Sequence, residues 1–217
     1  MTYKAVLFDL DGTLLDTLED LADSMNAVLS SRGYPTHPLV EYRYFVGDGV
    51  EMLVRRAVPD GLGSDRRVIK ACMDQMRDEY AQRWQKKSRP YAGIPELLDG
   101  LTEKGILLTI LSNKPNAFVQ KIALHFFGKW RFASAQGAVP EVARKPDPAA
   151  ALGISRSIGV PQASFLYLGD TNTDMETAKA AGMYPVGALW GFRPEAELRE
   201  AGARFLARHP QHLLALV

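Results

Sequence analysis

The order of apolar stretches along the chain constrains its fold more than any other feature. Four short apolar runs, at 5–8, 106–111, 164–169 and 184–189, each lead into a polar cluster or a Trp-Gly pair. Helix-like segments follow them, at about 94–104, 115–127, 147–158, 172–181 and 194–201. Strands that alternate with helices predict βαβ crossovers, and near-continuous apolar strands predict burial on both faces. We therefore predict an α/β fold with a doubly wound, mainly parallel, Rossmann-like sheet core.

One stretch interrupts this alternation. Residues 16–88 contain long helix-period patterns, such as "LEDLADSMNAVLSSRG" and "DRRVIKACMDQMRDEYAQRW", and no convincing strand. We predict an all-helical insertion after the first strand. The expected division is an α/β core of residues 1–15 and 89–217, with residues 16–88 as a helical second domain.

Composition gives no indication of a nucleic-acid or membrane partner. The chain of 217 residues is 47% hydrophobic and 24% charged, with a formal net charge of +1. This near-neutral balance favours neither nucleic acid nor a membrane surface, and no stretch approaches the roughly 20 apolar residues of a membrane span. The single cysteine, Cys72, allows no intrachain disulfide. We expect a cytoplasmic protein without nucleic-acid or membrane partners, and leave open whether it is a monomer or a homodimer.

Two acids directly after the first strand point to chemistry. Asp9 and Asp11 are two residues apart, so they face the same side of an extended chain and repel each other. A hard cation such as Mg²⁺, which prefers oxygen ligands, would relieve this repulsion. Gly12 permits a sharp turn that brings backbone N–H groups close to an anion.

Further polar residues lie at other predicted strand ends or in loops beside them. Asp170 and Asp174 supply more carboxylates, whereas Ser112 and Lys145 supply a hydroxyl group and a cation that suit phosphate. Ligands of parallel sheets bind beyond the carboxyl ends of the strands, so these residues could meet in one crevice. The set fits Mg²⁺-assisted phosphoryl transfer, with Asp9 as a nucleophile that needs no activating base and Asp11 as an acid/base.

The chain resembles the haloacid dehalogenase-like phosphatases in four motifs, "DLDGTLLDT", "LSNK", "KPDP" and "GDTNTD", which occur in that family's order and approximate spacing. The resemblance implies that the helical insertion is a cap domain. It also implies an aspartyl-phosphate on Asp9, with Asp11 as acid/base. The implied phosphate-binding residues are Ser112, Asn113 and Lys145, which add to the Gly12 turn already predicted to bind phosphate. The implied Mg²⁺ ligands are Asp9, the backbone carbonyl of Asp11 and Asp170, with Asp174 steadying the water shell of the metal.

Two shorter motifs are similar to the phosphoglycolate phosphatase branch of this family. "VGDG" contains Gly47, Asp48 and Gly49, which are either a substrate-binding cap loop or a plain turn. "WGFR" begins at Trp190, which we expect to pack beneath a loop. The branch implies a Mg²⁺-dependent phosphatase for a small phosphate monoester, 2-phosphoglycolate first among them.

Other functions remain open from the sequence. A pyrophosphatase or a sugar phosphomutase of the same superfamily would use the same four motifs. A two-component receiver domain also forms an aspartyl-phosphate, but after its third strand and in a smaller domain. A non-catalytic phosphate-binding protein would not need all four motifs intact.

Overall fold

The computed structural model describes residues 3–217 and is organised around a parallel sheet. The strands are β1 (Ala5–Phe8), β2 (Leu15–Asp16), β3 (Arg89–Pro90), β4 (Leu107–Pro115), β5 (Phe132–Ala138), β6 (Phe165–Gly169), β7 (Tyr184–Ala188) and β8 (Phe205–Ala207). Six of them form one sheet in the order β5-β4-β1-β6-β7-β8, and each adjacent pair is parallel. β2 and β3 form a separate two-stranded sheet. The predicted α/β fold with a mainly parallel, Rossmann-like core is confirmed.

The central strand explains why the first apolar run lies in the core. β1 lies between β4 and β6, with Ala5 opposite both Leu107 and Phe165. All four side chains of β1 are fully buried, as expected for a strand covered on both faces. The residues directly after Phe8 therefore emerge at the middle of the sheet's carboxyl edge.

Helices alternate with these strands. The α-helices are α1 (Leu18–Ser31), α2 (Leu39–Phe45), α3 (Val50–Ala57), α4 (Arg66–Arg83), α5 (Ile94–Glu103), α6 (Asn116–Phe127), α7 (Ala149–Ser157), α8 (Asn172–Ala180) and α9 (Glu195–Ala201). Short 3₁₀ turns span Leu62–Ser64, Gln162–Ser164 and Pro210–Leu216. None of the helices in the described part of the chain is long and apolar enough to cross a bilayer.

The chain divides into two compact units. The core unit comprises the residues up to Leu15 together with Pro90–Val217 and contains the six-stranded sheet. The helical unit comprises Asp16–Arg89 and contains α1 to α4. That the helical unit acts as a cap stays a prediction.

Two strand ends differ from the prediction. The apolar run at 106–111 predicts a strand that ends before "SNK", but β4 continues to Pro115. Its pairing with β5 shifts register between Leu111 and Pro115, and such an irregularity lets a strand extend past a break in its ladder. The short apolar stretch "RFA" at 131–133 also predicts a strand, and in the structure that strand is longer, the seven-residue β5 (Phe132–Ala138).

Candidate active site

Polar side chains meet at the carboxyl ends of three neighbouring strands, β4, β1 and β6. Because these strands are adjacent in the sheet, residues more than a hundred positions apart in sequence come into contact. The side chains at or beyond these strand ends are Asp9, Asp11, Ser112, Lys114, Asp170 and Asp174, and Lys145 joins them from the loop between β5 and α7.

Three of the predicted carboxylates form one buried cluster. Asp9, Asp170 and Asp174 each place a carboxylate oxygen within 4.8 Å of the others. Such closely spaced buried acids repel each other unless a cation lies among them. The cluster could therefore hold a metal ion, and its all-oxygen donor set suits a hard divalent cation.

Lys145 supplies one positive charge to this cluster. Its Nζ donates to Asp9 Oδ1 and to Asp174 Oδ1, both at 2.7 Å, and its side chain is 3% exposed. Burial alone would lower the pKa of Lys145, but Asp174 and Asp9 outweigh it and raise the pKa well above its usual value. Lys145 is therefore a buried ammonium group that touches the predicted nucleophile.

The environment of Asp9 opposes its negative charge in the absence of a metal. Burial is the largest cause and raises the pKa of Asp9 well above its usual range, against the attraction of Lys145. Asp174 and Asp170 raise it further by repulsion. A cation bound at the cluster would favour the charged carboxylate that a nucleophile needs.

The loop after β7 and the turn after β1 enclose Asp170. Its Oδ1 accepts from the Thr13 hydroxyl at 2.7 Å, and its Oδ2 accepts from the Phe192 backbone N–H at 2.8 Å. Trp190 Nε1 donates to the Thr13 carbonyl at 2.9 Å, which joins the loop to the turn. Burial and then Asp174 raise the pKa of Asp170 to about 7, although the Phe192 and Thr13 donors lower it. "WGFR" therefore helps to build the acidic cluster.

Two glycines allow this enclosure. Gly12 has φ +90°, and a Cβ there would lie 2.3 Å from Asp170 Oδ2. A Cβ on Gly191 would lie 2.2 Å from Asp170 Cβ. Gly12 thus brings the turn close to Asp170 as well as making a sharp bend.

Asp174 is fixed by the first turn of α8. Thr171 and Asp174 form a capping box, in which Asp174 Oδ2 accepts from the Thr171 backbone N–H and hydroxyl. Its other oxygen accepts from Lys145. The prediction placed Asp174 outside the direct metal ligands, whereas its carboxylate lies within the cluster of three acids. Its exact role stays a prediction.

Asp11 lies in a different environment from Asp9. Both carboxylate oxygens of Asp11 accept from Lys114 Nζ, at 2.8 and 3.1 Å. Sequence reasoning assigned no role to Lys114, although it is the last residue of "LSNK". The only indication in the sequence is that Lys114 directly follows the predicted Ser112 and Asn113. Its partner could not be predicted, because the pairing depends on how far β4 extends.

Ser112 and Asn113 are buried at the same strand end. The Asn113 side chain donates to the Lys145 carbonyl and accepts from the Lys145 N–H, so it orients the backbone of that lysine. Ser112 Oγ accepts from the Lys114 backbone N–H at 3.2 Å. Binding of phosphate by Ser112, Asn113, Lys145 and Gly12 stays a prediction.

The "VGDG" segment lies in the helical unit, between α2 and α3. Gly47 and Gly49 both have positive φ angles, of +124° and +89°. Arg56 donates to Asp48 and to the carbonyl groups of Tyr44 and Phe45, which fixes the segment against the end of α2. Substrate binding by Gly47, Asp48 and Gly49 stays a prediction.

Comparisons with known proteins agree with this geometry. The sequence pattern of the haloacid dehalogenase-like hydrolase family matches residues 6–188. The chain is 35% identical over 204 residues to a phosphoglycolate phosphatase of Pseudomonas syringae pv. tomato, covering 89% of this chain and 73% of the relative. It is 32% identical to an N-acetylmuramic acid 6-phosphate phosphatase of Pseudomonas aeruginosa, covering 99% of this chain and 94% of that protein.

A solved structure shows the same fold over the full length. A protein of Lactobacillus delbrueckii subsp. bulgaricus, provisionally assigned as a phosphoglycolate phosphatase, superposes with a TM-score of 0.92 at 29% identity, covering 100% of this chain and 99% of that one. The chain therefore belongs to the haloacid dehalogenase-like hydrolases, in their phosphoglycolate phosphatase-like branch, as an enzyme of the phosphoric monoester hydrolase class.

Proposed function

We propose that this enzyme is a Mg²⁺-dependent phosphatase that hydrolyses 2-phosphoglycolate to glycolate and phosphate through an aspartyl-phosphate on Asp9. The observation that carries the proposal is the buried ammonium group of Lys145, held between Asp9 and Asp174 within a cluster of three acids. Such an arrangement suits a nucleophile, a phosphate-binding cation and metal ligands that act together on one phosphoryl group. The relatives named for phosphoglycolate support the substrate.

The residues present fit Mg²⁺. Asp9 and Asp170 would hold it with carboxylate oxygens and Asp11 with its carbonyl, while Asp174 would orient its water shell. Bound there, the ion supplies positive charge that offsets the repulsion among the acids and the charge of the phosphoryl group.

The chain's own residues account for the other steps. Asp9 attacks phosphorus while Lys145 and Ser112 hold the phosphoryl oxygens, and the bond between phosphorus and the ester oxygen breaks. Asp11 gives a proton to that oxygen, releasing glycolate. Asp11 then takes a proton from water, which attacks the aspartyl-phosphate, restoring Asp9 and releasing phosphate.

A second candidate substrate is N-acetylmuramic acid 6-phosphate. The relative with that activity aligns with 99% of this chain and 94% of its own length, compared with 73% of the phosphoglycolate phosphatase from Pseudomonas syringae. Both substrates are phosphate monoesters that the same site chemistry would hydrolyse, so the two candidates differ only in the leaving group.

A phosphate-release screen separates these activities. The substrates are 2-phosphoglycolate, N-acetylmuramic acid 6-phosphate, pyrophosphate and a hexose phosphate, each with Mg²⁺ and with a chelator. We expect 2-phosphoglycolate to have the highest kcat/KM and the chelator to abolish turnover. Equal or faster hydrolysis of any other substrate would refute the substrate assignment, and an isomerised sugar phosphate would indicate a mutase.

Replacement of the nucleophile tests the mechanism. Asp9→Asn keeps the shape of the side chain and removes the carboxylate, so we expect kcat to fall by about 10³-fold or more, as for other essential nucleophiles. Asp78→Asn is the control, because Asp78 is 75% exposed in the helical unit, and it should leave kcat unchanged. Phosphate release that survives Asp9→Asn would show that Asp9 is not the nucleophile.

A further inference from the structure

The buried lysine beside Asp11 has no part in the mechanism above. The Lys114 side chain is 6% exposed, and that of Asp11 is 12% exposed. Lys114 is on β4 and Asp11 is just beyond β1, so two neighbouring strand ends bring the pair together. Both oxygens of the carboxylate lie within 3.1 Å of Nζ, which makes the ion pair bidentate at the acid.

Burial of an ammonium group is unfavourable unless it is paired. Asp11 offsets that cost, but Asp11 is also the proposed acid/base and must contact the ester oxygen when the phosphate leaves. Lys114 is therefore separated by one carboxylate group from the oxygen of the bond that breaks. A cation at that position also attracts any negative charge that the leaving group carries close to this oxygen.

The leaving group of 2-phosphoglycolate carries such a charge. Its carboxylate is attached to the carbon that bears the ester oxygen, so the two groups are only two bonds apart. In N-acetylmuramic acid 6-phosphate, by contrast, the carboxylate is many bonds from the phosphate. The position of the carboxylate relative to the ester oxygen therefore distinguishes the two candidate leaving groups.

The arginines that follow "VGDG" and the arginine of "WGFR" already have contacts within the fold. Arg55 is bound to Glu51 and to the Gly63 carbonyl, whereas Arg56 holds Asp48 and the end of α2. Arg193 is bound to Glu197 at 3.2 Å. Each of these partners belongs to the framework, whereas Lys114 is paired with Asp11, which is itself a proposed reacting group.

We propose that Lys114 is a specificity residue that binds the carboxylate of a substrate whose carboxylate and phosphate ester share one carbon. The inference rests on the proposed function, because it assumes that Asp11 contacts the ester oxygen. When the substrate binds, its carboxylate contacts the ammonium group, while Asp11 carries the proton that it gives to the ester oxygen. The chemical class selected is a short 2-phosphonooxy carboxylate.

The test compares two substrates that differ only at that end. 2-Phosphoglycolate carries a carboxylate, and 2-hydroxyethyl phosphate carries a hydroxymethyl group in its place. We measure kcat/KM for both with the wild-type enzyme, Lys114→Met and the control Lys129→Met, whose lysine is 68% exposed and pairs with Asp99. Lys114→Gln retains a donor for Asp11 and provides a second variant if Lys114→Met folds poorly.

We expect the wild-type enzyme and Lys129→Met to prefer 2-phosphoglycolate. Lys114→Met and Lys114→Gln should lower that preference about 10- to 100-fold, the range for loss of a hydrogen bond to a charged group. If kcat/KM falls by the same factor for both substrates, Lys114 acts only through Asp11 and the inference is wrong. An unchanged preference of the Lys114 variants for 2-phosphoglycolate would also overturn the inference.

The wild-type measurement separates this inference from the proposed function. A wild-type enzyme that shows no preference for 2-phosphoglycolate would refute the proposed substrate and, with it, the role of Lys114. A wild-type preference that persists without Lys114 would refute the role of Lys114 alone.

Discussion

At the scale of single residues, the enclosure of Asp170 restricts the neighbouring residues more than any other feature of the site. Two donors, the Thr13 hydroxyl and the Phe192 N–H, each take one carboxylate oxygen. Gly12 and Gly191 come so close that neither position has room for a Cβ. The carboxylate is thus held before any ligand binds, and this fixed orientation favours the function of a metal ligand.

Gly12 offers a test of that close approach. Gly12→Ala forces a Cβ to within 2.3 Å of Asp170 Oδ2 and also strains a backbone with φ +90°. We expect a loss of stability of more than about 2 kcal/mol and a fall in kcat of at least about tenfold, because Asp170 must move. Chemical denaturation and steady-state kinetics measure the two effects.

A second glycine separates the effect of backbone strain from the effect of a steric clash with Asp170. Gly159 has φ +69°, and nothing lies within 4 Å of the position that a Cβ would occupy, so Gly159→Ala introduces only the backbone strain. It should cost about 1–2 kcal/mol and leave kcat unchanged. Equal kinetic effects of the two variants would contradict the importance of the contact between Gly12 and Asp170.

The sequence allowed prediction of the acids more readily than of their partners. Asp9, Asp170 and Asp174 follow recognisable apolar runs, and the rule for parallel sheets places such residues at one edge. The pairing of Lys114 with Asp11 could not be predicted, because it requires β4 to continue through "SNK". The role of the Phe192 N–H could not be predicted either, because a backbone donor cannot be recognised from the residue type.

At the scale of elements, a buried acid joins the first helix of the helical unit to its last segment. Asp20, in the first turn of α1, is 1% exposed. Its carboxylate accepts from the backbone N–H groups of Lys87 and Ser88 and from the Ser88 hydroxyl. A carboxylate near a helix N-terminus is also favoured by the helix dipole.

Removal of this carboxylate should destabilise the helical unit. Asp20→Ala leaves the Lys87 and Ser88 N–H groups without their acceptor, and we expect a loss of about 2–4 kcal/mol. Asp23→Ala is the matched control, because Asp23 is 47% exposed and pairs with the Lys87 ammonium group at 2.8 Å on the surface of the unit. That control should cost no more than about 1 kcal/mol in urea denaturation. Similar losses of stability for both variants would show that the Asp20 carboxylate stabilises the helical unit no more than an exposed carboxylate does.

The elements were predictable to different degrees. The central strands were clear, because β1 and β6 are short, apolar and buried throughout. β5 was harder to predict, since "FASAQGA" is small and partly exposed and gains its strand structure from pairing with β4. The anchor at Asp20 was not foreseen, because it joins positions 67 and 68 residues apart that share no local pattern.

At the scale of the whole molecule, the site concentrates charge that the chain as a whole does not have. The formal net charge is +1, yet Asp9, Asp170 and Asp174 share one buried position with Lys145. The adjacency of β1 and β6 brings the three acids together, and the loop between β5 and α7 adds Lys145. The fold thus holds together like charges that would separate in the unfolded chain.

This concentration of charge predicts how stability depends on pH. The pKa of Asp170 is about 7 in the folded protein, above the usual range of an aspartate, and the pKa of Asp9 is also raised. Between about pH 4 and pH 7 the folded state therefore binds more protons than the unfolded state, so metal-free stability falls as pH rises. Each group contributes at most about 1.4 kcal/mol per pH unit.

If these carboxylates hold Mg²⁺ as proposed, the ion should oppose this trend, because a metal ion binds carboxylates in their deprotonated form. We expect Tm in a chelator to fall from about pH 5 to about pH 8, and the rise in Tm on adding Mg²⁺ to grow over the same range. Asp170→Asn, which keeps an acceptor for Thr13, should flatten both dependences. Two results would contradict the proposal that the metal offsets the negative charge of these carboxylates. One is a metal-free Tm that increases with pH, and the other is an effect of Mg²⁺ on Tm that does not depend on pH.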